Sequence, residues 1–184
     1  MRGPAVIVAL AGRRIDAPDS SPPRFPLPNV TLVERRLDEL FARVGATALV
    51  GSAACGADLL ASLVAGRRGL RRRVVLPFDR DRFRATSVSD RPGDWGPLYD
   101  RVLAELEATG DVVILNGYRE RDDAYLAVNR AILDEAAALG RAASVEVVAV
   151  LVWEGAPRGD DDVTAAFGAE ARRRGYRVEQ VTTR

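Results

Sequence analysis

Thr47 to Gly66 reads TALVGSAACGADLLASLVAG, and its small-residue middle is the stretch best suited to chemistry. An apolar run, Ala48-Leu49-Val50, stops at Gly51; four small residues follow, and Gly56-Ala57-Asp58 opens an apolar helix. A strand, a small-residue turn and a helix form the unit that binds phosphates and nucleotides in open α/β sheets. Small side chains let a ligand approach the backbone, and the first N–H groups of a helix attract an anion. Gly51, Ser52, Ala53, Cys55, Gly56, Ala57 and Asp58 are therefore candidate ligand-binding residues. The alternative is a tight turn that needs small residues for packing alone. The turn lacks G-x-G-x-x-G and G-K-[ST], so neither the dinucleotide fingerprint nor the P-loop applies. Ser52 suits a phosphate as a hydrogen-bond donor. Asp58 would repel a phosphate and suits ribose hydroxyls or a helix cap.

Two absences narrow the chemistry. The chain has no histidine and no lysine; all 27 basic residues are arginine. This removes a Ser-His-Asp triad, a histidine metal site, a Schiff-base lysine and a P-loop lysine. One cysteine cannot build a thiolate zinc cage or an internal disulfide, and fits a reducing, cytoplasmic setting. With no histidine as base, Cys55 reads as a small buried thiol rather than a nucleophile. No cofactor and no metal are expected.

Further candidates lie outside the turn. Gly12, Arg13 and Arg14 end the first apolar run, where Arg13 or Arg14 could clamp a phosphate bidentately or simply be solvated. In the segment PFDRDRFRATSVSDRPGD, Phe78 and Arg82, with Phe83 and Ser87 nearby, could stack a base and hold its phosphate, or form a lid. Asn116-Gly117 leaves a later strand. Tyr125 and Asn129 are four apart and share one helical face.

Elements must position these groups. Ala5–Ala11, Thr47–Val50, Arg73–Leu76, Val112–Leu115 and Val145–Val152 read as buried strands, and Tyr176–Val181 alternates like an edge strand. Helical spacing separates them: Val33, Leu37, Leu40, Phe41 and Val44, preceded by a Thr31/Glu34 capping box; then Leu59 to Val64, Leu98 to Leu106, and Tyr125 to Leu139. Asp122 or Asp123 is the expected cap of that last helix and Gly140 its stop. The alternation predicts a three-layer α/β/α Rossmann-like sandwich, with a mostly parallel sheet of five or six strands in one domain over 1–184. Loops after strands are long and polar, so they gather at the carboxyl edge, where open α/β sheets bind ligands. A 3-2-1-4-5 order puts the crevice between strands one and four, framed by Gly12-Arg13, the Gly51–Asp58 turn and Asn116-Gly117.

The net charge of +1 gives no overall pull toward nucleic acid or anionic membrane, and no run is long enough to span a bilayer. Neither partner is expected on that ground.

A first strand ending in Gly-Arg, then LVGSAACGADLLA, then VVLPFDRDRFRATSV, resembles the SLOG superfamily of Rossmann-like nucleotide-sensing domains, related to lonely-guy and DprA-like proteins. The resemblance reaches to about Asp134 and puts the family's glycine turn on Gly51, Ser52, Gly56, Ala57 and Asp58. It implies binding or sensing of a nucleotide or nucleotide-derived ligand in a bacterial signalling or conflict system, with a homodimer or an effector-domain partner. The alternative it implies is a phosphoribohydrolase that cleaves the N-glycosidic bond of nucleoside monophosphates. Those enzymes carry P-G-G-x-G-T-x-x-E, whereas this chain has LNGYRERDDA. No catalytic residue is assigned; Glu120 and Asp58 are the candidates. A third reading is an interaction module with a degenerate pocket.

Overall fold

A computed structural model describes residues 4–117 and 121–184. Its elements follow in chain order: β1 (Val6–Gly12), α1 (Val30–Val44), β2 (Ala46–Gly51), α2 (Ala57–Arg67), β3 (Arg71–Leu76), α3 (Arg80–Ser87), α4 (Gly96–Ala108), β4 (Val112–Ile114), α5 (Arg121–Ala143), β5 (Glu146–Trp153), α6 (Val163–Arg173) and β6 (Arg177–Thr182). The strands pair in parallel in the order β4-β3-β2-β1-β5-β6. The α/β/α class, the parallel sheet and the edge strand β6 agree with the sequence reading.

The strand order does not. β1 lies between β2 and β5, and β4 is the outer strand beyond β3. The chain steps outward from β1 to β4, then returns over the sheet through the 23-residue α5 to place β5 against β1. Right-handed crossovers that step in opposite directions put their helices on opposite faces. One core accordingly joins α1, α2 and α4 to Val8, Leu10, Leu49, Leu76 and Val150. The other joins α5 and α6 to Ile7, Ala9, Val50, Val75 and Leu151. Alternate residues of each buried strand serve the two faces, which is why these strands are apolar throughout. The point where strand order reverses is therefore between β1 and β5.

Local differences have local causes. α1 starts after Asn29 without a side-chain cap, so Thr31 and Glu34 form no capping box; Gly45 ends the helix in the left-handed region, as its position suggested. Segment 77–94 contains α3, capped by Asp79, whose carboxylate accepts from the Arg82 N–H at 2.9 Å. Asp122 and Asp123 fall inside the first turn of α5. Gly140 lies within α5 rather than at its end: a Cβ there would meet the Val145 carbonyl at 2.9 Å, so glycine serves close packing. No helix among the described residues is long and apolar enough to cross a membrane.

Candidate functional site

At the carboxyl edge, above β1 and beside β5, lies a crevice of about 570 Å³. Its floor is apolar, from Leu10, Ala11, Val128, Ile132 and Val163. Ser52, Ala54 and Asp58 of the glycine turn form one wall, and Tyr125, Asn129 and Thr164 of α5 and α6 form another. Arg14, Arg24, Arg91 and Arg158 stand at its rim. An apolar floor with a few converging polar groups is the usual make-up of a small-molecule site.

Of the residues predicted from sequence, Gly12, Arg13, Ser52, Asp58, Tyr125 and Asn129 line this crevice. Gly51, Ala53, Cys55, Gly56 and Ala57 lie behind the wall. Gly56 has φ +92°, and a Cβ there would meet the Arg13 carbonyl at 2.8 Å, so both conformation and space require glycine. The turn offers fewer bare amides than its sequence suggests. The Ala54 N–H donates to the Asp58 carboxylate at 3.2 Å, Cys55 N–H to the Ser87 carbonyl at 3.0 Å and Ala57 N–H to the Arg13 carbonyl at 3.0 Å. Asp58 is thus a cap for the bend as well as a wall of the crevice. Cys55 is buried, and desolvation raises its thiol pKa against the lowering pull of Arg14.

Arg13 corrects its own prediction most sharply. Its side chain is 4% exposed and donates to both Glu154 oxygens at 2.6 and 3.1 Å, to Asp162 at 2.8 Å and to the Ala156 carbonyl at 2.9 Å. Its guanidinium carbon lies 5.5 Å from the Trp153 ring centre. These donors are engaged inside the protein, so Arg13 is a structural cation rather than a phosphate clamp. Burial works to lower its pKa, but the bonds to Asp162 and Glu154 outweigh that and raise it. Asp162 also caps α6, accepting from Thr164 and Ala165 at 2.9 and 3.0 Å and from the Arg158 N–H at 2.7 Å. Desolvation opposes its charge, yet Arg13 and these amides hold its carboxyl below the usual range.

Phe78 and Arg82 pair with each other, the guanidinium 4.2 Å from the ring centre, and neither lines the crevice; Phe83 of the same segment does. Asn116 and Gly117 follow β4 at the outer edge of the sheet and do not reach it, because β4 is not beside β1. Glu120 lies outside the described residues. Tyr125 bonds Ser87 at 2.8 Å, and Asn129 donates to the Val163 carbonyl at 2.8 Å, so α5 is tied to both α3 and α6 around the crevice. The sequence reading missed Arg158, Asp161 and Thr164. Their signal was present: WEGAPRGDDD is a long polar loop after a strand, and such loops belong to the carboxyl edge. Among the described residues no group of three or more Asp, Glu or Cys side chains is gathered to hold a metal.

Asp58 is the perturbed acid of the site. Burial raises its pKa from 3.8 to about 7, against the Ala54 N–H and the Arg14 charge, which lower it. A carboxyl raised on folding favours the native state while protonated; that contribution is full below pH 4 and is lost as pH rises through 7. Asp58→Asn is therefore expected to match the wild type near pH 4 and to exceed its stability at pH 8. Urea unfolding at both pH values checks this, and an equal wild-type-to-variant difference at the two would refute it.

No family model matches the chain, and no curated protein matches it. Among solved structures, the chain is similar to DNA processing protein A (DprA) from Streptococcus pneumoniae, at 14% identity and a TM-score of 0.43. The similarity covers 95% of this chain and 58% of that protein, so the chain spans under two thirds of its length. One expectation is corrected: this neighbour is a DNA processing protein, so the absence of a nucleic-acid partner no longer stands. A net charge summed over the whole chain says nothing of a local contact.

Proposed function

We propose that the crevice binds a nucleotide or nucleotide-derived ligand and that the chain, as one domain, is a SLOG-like sensing module of a bacterial signalling or conflict system. The observation that carries this is the crevice itself: an apolar floor at the β1/β5 reversal point, rimmed by arginines, beside a turn of small residues. The floor accepts a base, Asp58 and Asp161 suit ribose hydroxyls, and the arginines suit phosphates. Arg158 is the most available of these, since its side chain is 52% exposed, about twice as much as those of Arg14, Arg24 and Arg91.

Thermal melting with nucleoside mono- and diphosphates, cyclic nucleotides, ADP-ribose and short single-stranded oligonucleotides tests the reading. A ligand at 100 times its Kd adds about 2.7 kcal/mol to apparent stability. A nucleotide-class compound is expected to raise the Tm, with the rise reduced in Arg158→Ala. No rise across the panel would remove the reading; a rise with oligonucleotides alone would move it to nucleic acid.

A second reading has one observation behind it. A carboxyl with a pKa near 7 in a crevice is suited to general acid–base work. In a phosphoribohydrolase, Asp58 would donate its proton to the departing base and leave a carboxylate to stabilise the cationic ribosyl centre while water adds. Release of free adenine from AMP, lost in Asp58→Asn, would favour it. Binding without release would leave the sensing reading alone.

A further inference from the structure

Arg14 and Arg91 line the crevice, and both pair with the same side chain, Asp90. Arg14 is hydrogen-bonded to one Asp90 oxygen through Nη2, and Arg91 Nε lies 3.8 Å from the other. Asp90 is itself exposed, on the loop that joins α3 to α4, so it reaches the two guanidinium groups from the solvent side. The pose has a cost. Arg14 Nε is buried and has no hydrogen-bond acceptor among the described residues. The Cys55 thiol lies within bonding reach of the Arg14 guanidinium, but a protonated thiol is a weak acceptor. A guanidinium held by one carboxylate oxygen through Nη2 and by a weak thiol contact, with Nε unpartnered among the described residues, lacks the two-bond geometry in which it binds oxyanions best.

We propose that Arg14 is a phosphate-binding residue of the crevice, beside Arg158, and that Asp90 is an internal counter-ion which the incoming phosphate displaces. This rests on the reading of the crevice as a nucleotide site. A phosphate entering between Arg14 and Arg91 takes both oxygens' worth of charge that Asp90 now supplies. Arg14 can then turn to offer Nε and Nη2 together, which satisfies the orphaned donor. Asp90 returns to solvent at little cost because it is exposed already. The loop that carries Asp90 lies between α3, whose Ser87 touches the glycine turn, and α4. Ser89 and Pro92 keep that loop tied to Arg84 and Trp95, so release of Asp90 changes the charge the loop presents rather than its course, and the domain acquires a ligand-dependent surface.

The pair is partly exposed, at 26% and 34% for the two side chains, so its removal is worth a modest amount. Asp90→Asn is expected to tighten AMP binding by about fivefold, the equivalent of roughly 1 kcal/mol. Inorganic phosphate, measured alongside, should tighten in parallel, while adenosine should not change. Arg14→Gln should weaken AMP by at least tenfold, and Asp90→Asn should give no gain when added to it. Isothermal titration on the four proteins decides the matter. Asp90→Asn is a conservative change at an exposed position, so it keeps the test readable if Arg14→Gln folds poorly. AMP binding that ignores Asp90→Asn would overturn the counter-ion role and leave the nucleotide reading intact. Absence of binding by AMP, phosphate and adenosine in both wild type and Asp90→Asn would overturn both.

Discussion

Arg13→Met is expected to lower stability by about 3–5 kcal/mol at neutral pH, because it removes the one buried cation of an ion cluster and leaves its acids only the more exposed Arg24 and Arg158. Glu154 and Asp162 are left as charged carboxylates with side chains 4% and 0% exposed. For a chain of this size the change corresponds to a Tm drop of roughly 10 °C. The pH dependence identifies the cause. Glu154 and Asp162 both have pKa values lowered on folding: desolvation opposes this, but bonds to Arg13 and to backbone amides, and for Glu154 also to Arg24, outweigh it. Such groups stabilise above their unfolded values and lose that contribution as pH falls through the folded ones. The deficit of Arg13→Met should therefore be largest at pH 7 and narrow toward pH 3, where the carboxyls take up protons. Thermal melts at both pH values check this, and a deficit that does not narrow would show that the carboxylates are not what Arg13 holds.

Gly12→Ala is expected to cost about 3 kcal/mol or more, through overpacking. A Cβ on Gly12 would lie 2.4 Å from Ala57 Cβ, 2.7 Å from the Val152 carbonyl oxygen and 2.8 Å from Val152 Cβ. None of these is the free end of a flexible side chain: one is the first residue of α2, the others belong to the interior strand β5. The chain would have to part β1 from β5 or lift α2, and either move deforms the floor of the crevice. Denaturant unfolding measures the loss. Adding Ala57→Gly removes the shortest contact and should recover part of it, since the two positions touch and their effects are coupled. A double variant no more stable than Gly12→Ala alone would place the strain elsewhere.

The elements themselves were legible. Continuous apolar runs such as AVIVALA and VEVVAVLV identify strands covered on both faces, and the observed β1 and β5 fall on them. Which strand β5 joins was not, because a hydrophobic pattern reports burial and not neighbours. The signal was length: returning from the outer strand over β3 and β2 to the far side of β1 spans four strand spacings, roughly 19 Å. A helix of 23 residues is about 35 Å long and can make that journey. α3 was hidden because RDRFRATS is mostly polar; only Phe83 and Ser87, four apart, are buried. In the site, Ser52, Asp58, Tyr125 and Asn129 were placed by the carboxyl-edge rule and by helical spacing. Arg13 was placed at the right position but in the wrong role. Its partners Glu154 and Asp162 lie 141 and 149 residues away, and no local pattern connects a guanidinium to acids at that separation.

The return of α5 also sets the order in which the molecule can be completed. β1 is among the first residues of the chain, yet one of its two edges is closed only by β5, about 140 residues later. Until then that edge is a bare row of amides and carbonyls on an apolar strand, open to pairing with another chain. During synthesis the nascent protein must shelter it while three further strands, β2 to β4, are made. The acids that neutralise Arg13 follow β5 in the chain, so the cation waits for its counter-charges until that strand has docked.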